Sequence, residues 1–434
     1  MQEIAGKRVT VAGLGHFGGG IAVSRWLVGQ GAKVLVTDRE PAEKMADAVA
    51  QLQGLPIEYR LGGHREEDFT GADVVVASPA IPPANPYLTA ARKAGVPVTT
   101  EICLFVERCR SNRVVGVTGT KGKSTTTAML GQMLKTRHGT RVGGNIGRSL
   151  LADLPDIGRD DVVVLELSSY MLHYLGERRW SPHVGLITMI ADDHLKWHGS
   201  RESYVAAKAN LVRFQAPGDW AVLNELDGRT PAIERLTAAR VKKFGADGRR
   251  PFQLAVPGAH NQINAQAAFA AASVFGVEWE QAQESVRGFK GLPHRLELVH
   301  EDGGVRYFND SIATIPEAAV AALEAFPPRT VIQIVGGDDK GLDMTQMFDA
   351  LSGGAKAVLC VGTTGPAAAA AVRDRRGAPA QDCGNLATAV RRAREIAAPG
   401  DVVLLSPGYA SYDQFVNFEK RGEAFATLVR ERGG

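Results

Sequence analysis

The segment Thr118-Gly119-Thr120-Lys121-Gly122-Lys123-Ser124-Thr125 constrains this chain more than any other. It follows the β-branched run Arg113–Val117 and precedes a stretch, Ser124–Lys135, whose pattern predicts a helix. Strand, glycine loop and helix together make a phosphate cradle. The glycines let backbone N–H groups close on an anion, and the helix N-terminus adds positive potential. Lys123 can reach β- and γ-phosphates, and the Ser124 hydroxyl can ligate Mg²⁺. The general P-loop pattern is broken at one point: Val117 stands where the leading glycine is expected, and Gly119 comes two positions later. Such a loop belongs at the carboxyl end of a parallel strand, so the chain must contain an α/β layer.

A second glycine loop, Gly13-Leu14-Gly15-His16-Phe17-Gly18, follows the run Arg8–Ala12. Asp38 lies 20 residues beyond Gly18 at the end of Lys33–Thr37, where a carboxylate can accept a ribose hydroxyl. This pattern suits NAD and any nucleotide diphosphate equally; a glycine turn kept for helix–sheet packing is the plain alternative. Further strands are expected at 72–77, 161–165, 184–188, 330–335, 357–361 and 401–405, with boundaries near residues 110 and 298. The alanine-rich run 366–373 reads as a helix.

Composition narrows the function. Lys plus Arg is 50 against 47 Asp plus Glu, so no nucleic-acid partner is demanded. No apolar run is long enough to span a membrane. The first residues lack the order of a secretory signal. Cys103, Cys109, Cys360 and Cys383 form no CxxC, and free thiols in a cytoplasmic protein are expected. His194 and His198 stand four apart beside Asp192 and Asp193, but there is no HExxH and no evident third ligand, so zinc is rejected.

Beyond the TGTKGKST loop, further motifs follow in order: Gly143-Gly144-Asn145-Ile146-Gly147, Glu166-Leu167-Ser168-Ser169-Tyr170, Asp193-His194, Tyr204 to Lys208, Gly258-Ala259-His260-Asn261, Gly291-Leu292-Pro293-His294-Arg295, Asn309-Asp310-Ser311 and Leu405-Ser406-Pro407-Gly408. Across essentially its whole length the chain resembles the Mur ligases of peptidoglycan synthesis. The resemblance implies an α/β protein of three domains. A Rossmann-like UDP-substrate domain is expected at 1–110, a P-loop ATPase-like domain at 111–298 and a Rossmann-like glutamate-binding domain at 299–434. It implies ATP-dependent addition of glutamate, most often the D isomer, to UDP-N-acetylmuramoyl-L-alanine through an acyl phosphate. No nucleic-acid or membrane partner is implied, and a monomer is expected.

The resemblance also assigns roles. ATP would meet Gly119, Thr120, Lys121, Gly122, Lys123, Ser124, Thr125, Asn261, Asn264, Arg295 and Asp310. The UDP-substrate would meet Gly13, Leu14, Gly15, His16, Phe17, Asp38, Arg39, Ser78, Asn145 and Ser168. Glutamate would meet Thr314, Lys340, Ser411 and Phe418. Two Mg²⁺ ions are implied, with Ser124 and Glu166 on the first and His194 and Lys208 on the second. An ammonium has no lone pair, so Lys208 would act as a carbamate. The catalytic set is then Lys123, Lys208, His194 and Arg295. Each residue has a plainer reading: Glu166 as a helix cap or solvated carboxylate, Lys208 as a surface lysine, Asn261 as a cap, and Lys340 as the partner of Asp338 or Asp339. Three positions depart from the family pattern: Ile312 replaces a common lysine, Ser78-Pro79-Ala80 replaces SPG, and Asp38-Arg39 matches only roughly. Ile312 leaves L-glutamate open.

Competing readings are another Mur ligase, although no DNPR-like motif is found, and a folylpolyglutamate synthase, which would begin near its P-loop. A nicotinamide-dependent dehydrogenase and a non-catalytic nucleotide-binding regulator complete the set.

Overall fold

A computed structural model describes residues 4–15, 18–191, 193–245 and 250–431. Seventeen strands form three sheets among the described residues. The first holds β1 (Arg8–Ala12), β2 (Lys33–Asp38), β3 (Ile57–Leu61), β4 (Val74–Ala77) and β5 (Val98–Thr99), in the order β3-β2-β1-β4-β5. The second holds β6 (Val114–Thr118), β7 (Thr140–Gly144), β8 (Val162–Glu166), β9 (Val184–Ile187), β10 (Trp220–Asn224) and β11 (Arg240–Phe244), in the order β11-β10-β9-β6-β8-β7. The third holds β12 (Glu297–Asp302), β13 (Val305–Asn309), β14 (Val331–Gly336), β15 (Ala357–Val361), β16 (Ala380–Gly384) and β17 (Val402–Leu405), in the order β12-β13-β17-β14-β15-β16. All pairings are parallel except β12 with β13.

The central strands are continuous apolar runs because helices cover both faces. β6 and β8 are buried at every position. Chain order reverses between β1 and β4 in the first sheet and around β6 in the second. Open parallel sheets bind ligands at such reversals, beyond the strands' carboxyl ends. Both glycine loops start there.

The chain divides into two compact units. One is Met1–Phe252 with Ile263–Val286, containing the first two sheets; the other is Gln253–Gln262 with Arg287–Gly434, containing the third. The expected strand near residue 72 is the fourth of its sheet, because the half-buried Ile57–Leu61 adds an edge strand before it. A helix expected to open near Ala265 runs from Ala259 to Ala272, followed by a 3₁₀ turn Ser273–Phe275.

Candidate active site

The loop after β6 is held open by its neighbours. Gly122 is left-handed at φ +84° and caps the helix Lys123–Lys135. A Cβ there would lie 2.5 Å from Asn264 Oδ1. Gly119 has φ +152°, and a Cβ would lie 1.9 Å from Thr188 Oγ1. Only glycine meets both demands. The end of β9 fixes the loop. Thr188 Oγ1 donates to Lys121 O at 2.6 Å, Thr120 N donates to Met189 O at 2.6 Å, and Ala191 N donates to Thr120 Oγ1 at 2.9 Å. Tyr204 OH lies 2.8 Å from the same Oγ1. The Lys123 ammonium donates to Thr120 O at 2.9 Å. Ser124 is half-buried and Thr125 buried at the start of the helix.

Glu166 ends β8, in register with Val117 of β6. Its side chain is 1% exposed. Oε1 accepts from Asn145 Nδ2 at 2.8 Å, while Oε2 is buried without a hydrogen-bond partner. It is therefore neither solvated nor a cap: the cap of the helix Ser169–Glu177 is Ser168, whose Oγ accepts from Met171 N at 3.2 Å. A bare buried carboxylate oxygen costs free energy unless a cation meets it. With the Ser124 hydroxyl it offers the hard oxygen chemistry that suits Mg²⁺.

Lys208 is 2% exposed, so the surface reading fails. Nζ donates to Gly119 O at 2.7 Å and lies over the Tyr204 ring at 4.9 Å. Burial, with the Lys123 charge nearby, holds this amine well below the usual lysine range. His194 is left-handed at φ 52°, with Nε2 3.4 Å from Asp193 Oδ2. Burial lowers its pKa, and the charges of Lys208 and Lys123 act the same way against Asp193. His198 faces elsewhere, with Nε2 3.0 Å from Ser169 Oγ, and burial takes its pKa down to about 4. Among the described residues, no three His, Cys, Asp or Glu side chains converge on one point.

The first glycine loop has Gly13, Gly15 and Gly18 at φ +86°, +63° and +81°. Asp38 serves this loop directly: Oδ2 accepts from Leu14 N at 2.8 Å and Gly15 N at 3.3 Å, and Oδ1 from Glu40 N at 3.0 Å. Its observed partners are backbone groups, where the sequence pointed to a ribose. Ser78 packs against Gly13, and Arg39 is exposed. His16 and Phe17 lie outside the described residues. Two contacts not foreseen from sequence tie Ser78–Ile81 to the second sheet's helices: Trp197 Nε1 donates to Ala80 O and Tyr174 OH to Ile81 O, both at 3.0 Å. His64 is a further addition, its Nδ1 2.7 Å from Thr37 Oγ1.

Asn264 and Asn261 sit within the first turns of their helix. Asn264 Oδ1 accepts from Thr126 Oγ1 at 3.3 Å, over Gly122; Asn261 Nδ2 donates to Pro257 O at 2.6 Å. In the third sheet's unit, Asp310 is 5% exposed, accepting from Leu296 N at 3.1 Å and Ser406 Oγ at 2.8 Å. Burial pushes its carboxyl up to about 7. Arg295 is half-buried, and its charge acts on Asp310. Lys340 Nζ donates to Thr314 O at 3.3 Å, beside a small pocket shared with Tyr409. Among the described residues Lys340 makes no ion pair with Asp338 or Asp339. Ser411 is buried, its carbonyl accepting from Phe415 N at 2.8 Å. Phe418 opens the last helix, its ring 6.1 Å from that of His294. Between them lies Arg421, which sequence reasoning missed. Its guanidinium donates to Ser311 Oγ and O and to Ala410 O at 3.0 Å, and to Tyr409 O at 3.1 Å.

Three family models cover the chain in order: a MurD-like Mur ligase N-terminal domain over residues 7–100, a Mur ligase middle domain over 117–250, and a Mur ligase glutamate ligase domain over 294–408. The chain is 42% identical to a UDP-N-acetylmuramoylalanine–D-glutamate ligase of Roseiflexus sp. (strain RS-1), covering 99% of each. It is 40% identical to the protein of the same name from Anaeromyxobacter dehalogenans, again covering 99% of each. Among solved structures it is similar to the UDP-N-acetylmuramate-alanine ligase MurC of Thermotoga maritima, at TM-score 0.62 and 21% identity over 98% of this chain and 99% of that one. The MurF ligase of Thermotoga maritima in complex with ADP matches with TM-score 0.58 and 16% identity over 100% of both chains. On its sequence matches, with a fold that agrees, this chain belongs to the Mur ligase family.

Proposed function

We propose that the protein is a cytoplasmic, monomeric ATP-dependent ligase that joins D-glutamate to UDP-N-acetylmuramoyl-L-alanine for peptidoglycan synthesis. The observation that carries this reading is the buried, unpartnered Glu166 oxygen at the strand beside the P-loop. Ser124 and Glu166 would hold one Mg²⁺, and His194 with a Lys208 carbamate a second. The ions, when bound, neutralise the repulsion between triphosphate and carboxylate.

The alanyl carboxylate attacks the γ-phosphorus, ADP leaves, and an acyl phosphate forms. The glutamate amine then attacks the acyl carbon, loses a proton, and phosphate departs as the amide forms. Lys123, by charge, and Arg295 stabilise the transferring phosphoryl group. The loop residues Gly119 to Thr125, Asn261, Asn264 and Asp310 complete the proposed ATP site. The first glycine loop, Arg39, Ser78, Asn145 and Ser168 bind the UDP-substrate, with Asp38 shaping that loop. Thr314, Lys340, Ser411 and Phe418 receive glutamate. Domain limits of 1–110, 111–298 and 299–434 accompany this reading.

The lowered affinity of Lys208 for a proton supports its reaction with CO₂, because the neutral amine is the nucleophile. Phosphate release is to be measured with ATP, Mg²⁺, UDP-N-acetylmuramoyl-L-alanine and each glutamate enantiomer. Release with D-glutamate is expected; release with L-glutamate alone overturns the stereochemistry, and release with neither overturns the activity. Lys208→Ala is expected to be inactive and rescued by short carboxylic acids, while full activity without rescue would remove the carbamate.

A further inference from the structure

A cavity of about 410 Å³ lies at the end of the first sheet away from its glycine loop. Val9 and Val74, near the amino ends of β1 and β4, line it, together with Leu27, Val76, Pro97 and Leu104. Ligands in parallel sheets bind at the carboxyl ends, so this space belongs to neither phosphate loop. Protein interiors are close-packed, and voids much larger than a water molecule are few. The cavity is instead in the size class of small-molecule sites.

Its rim is charged. Arg178, following the helix Ser169–Glu177, donates through Nη2 to Val98 O at 3.3 Å and stands 3.9 Å from Glu107 Oε1 through Nε. Arg108 stacks its guanidinium 5.4 Å from the Trp26 ring centroid. Two guanidiniums and one carboxylate line the rim, a surplus of one positive charge. In the same wall Thr99 is 5% exposed and its Oγ1 has no hydrogen-bond partner, which is polar capacity the protein does not use. Apolar walls beneath a cationic rim match a molecule with a hydrocarbon body and a single anionic head.

We propose that this cavity binds an amphipathic monocarboxylate, its chain among the valines and leucines and its carboxylate on Arg178. Decanoate, below its micellar range, is the probe, titrated calorimetrically into the full-length protein. Saturable binding with one-to-one stoichiometry is expected. Arg178→Gln should weaken it roughly tenfold, the scale of one lost hydrogen bond to a charged group. Val74→Phe fills the space and should abolish binding, with retained ATP-dependent phosphate release reporting that the variant is folded. Decanol should bind more weakly than decanoate. Absence of saturable heat, unchanged affinity in Arg178→Gln, or equal affinity for decanol would each overturn the proposal. Unchanged affinity in a folded Val74→Phe would do the same. Binding is read without turnover, so this test fails or succeeds independently of the ligase reading.

Discussion

Glu166 and Asn145 act as one unit. The amide from the β7 loop occupies one carboxylate oxygen and leaves the other bare, which fixes the direction in which the carboxylate can meet a cation. Groups that orient a metal ligand typically govern affinity by 10–100-fold. Asn145→Ala should therefore raise the Mg²⁺ concentration needed for half-maximal phosphate release by ~10-fold, with little change in melting temperature. A melting-temperature collapse with unchanged Mg²⁺ dependence would make Asn145 merely structural. Asp310 makes a separate prediction. Its carboxyl is raised from 3.8 to about 7 in the fold, so the native state holds the proton more tightly than the unfolded chain. The stability this supplies is full below pH 4 and is lost as pH rises toward 7. Urea unfolding of Asp310→Asn against the parent should show a flatter dependence between pH 4 and 7; parallel curves would refute the shift. Neither arrangement could be read from sequence. Glu166 and Asn145 are twenty-one positions apart, and the burial that raises Asp310 is a property of the packed chain.

At the scale of elements, interior strands were legible and edges were not. The runs before both glycine loops are β-branched and buried on both faces, so their pattern is unmixed. Ile57–Leu61, Arg240–Phe244 and Ala380–Gly384 carry polar residues because one edge or face meets water, and they resemble loops. The helix start at Ala259 follows Pro257-Gly258, a punctuation that could have placed it. Arg421 gave no such signal, because an arginine on a terminal amphipathic helix reads as solvated. The glycine loop after β6 depends on β9 as much as on its own residues. Gly119→Ala would set a methyl group against Thr188 in a backbone region that alanine avoids. Calorimetric titration with ADP should show at least a roughly hundredfold loss of affinity, about two lost hydrogen bonds in size. Binding equal to the parent would mean that the loop can shift without cost.

For the molecule as a whole, the ordered motifs located both phosphate loops and the third sheet, yet not the tethers Trp197–Ala80 and Tyr174–Ile81 that join the first two sheets within one unit. Those contacts link residues far apart in the chain, and a tryptophan or tyrosine in a helix has many possible burial partners. The division into two units carries the last prediction. A ligand that binds only the native state stabilises the segments it touches by RT ln(1 + [L]/Kd), about 2.7 kcal/mol at a hundredfold excess over Kd. The proposed glutamate contacts Thr314, Lys340, Ser411 and Phe418 all lie in the second unit. D-glutamate added to the ADP-bound protein should slow amide hydrogen exchange around 336–342 and 408–418 and leave 13–15 and 18–20 unchanged. UDP-N-acetylmuramoyl-L-alanine should produce the reverse pattern in those segments. Protection of the first glycine loop by glutamate would require the two substrates to exchange places, and the residue assignments of both sites would fall together.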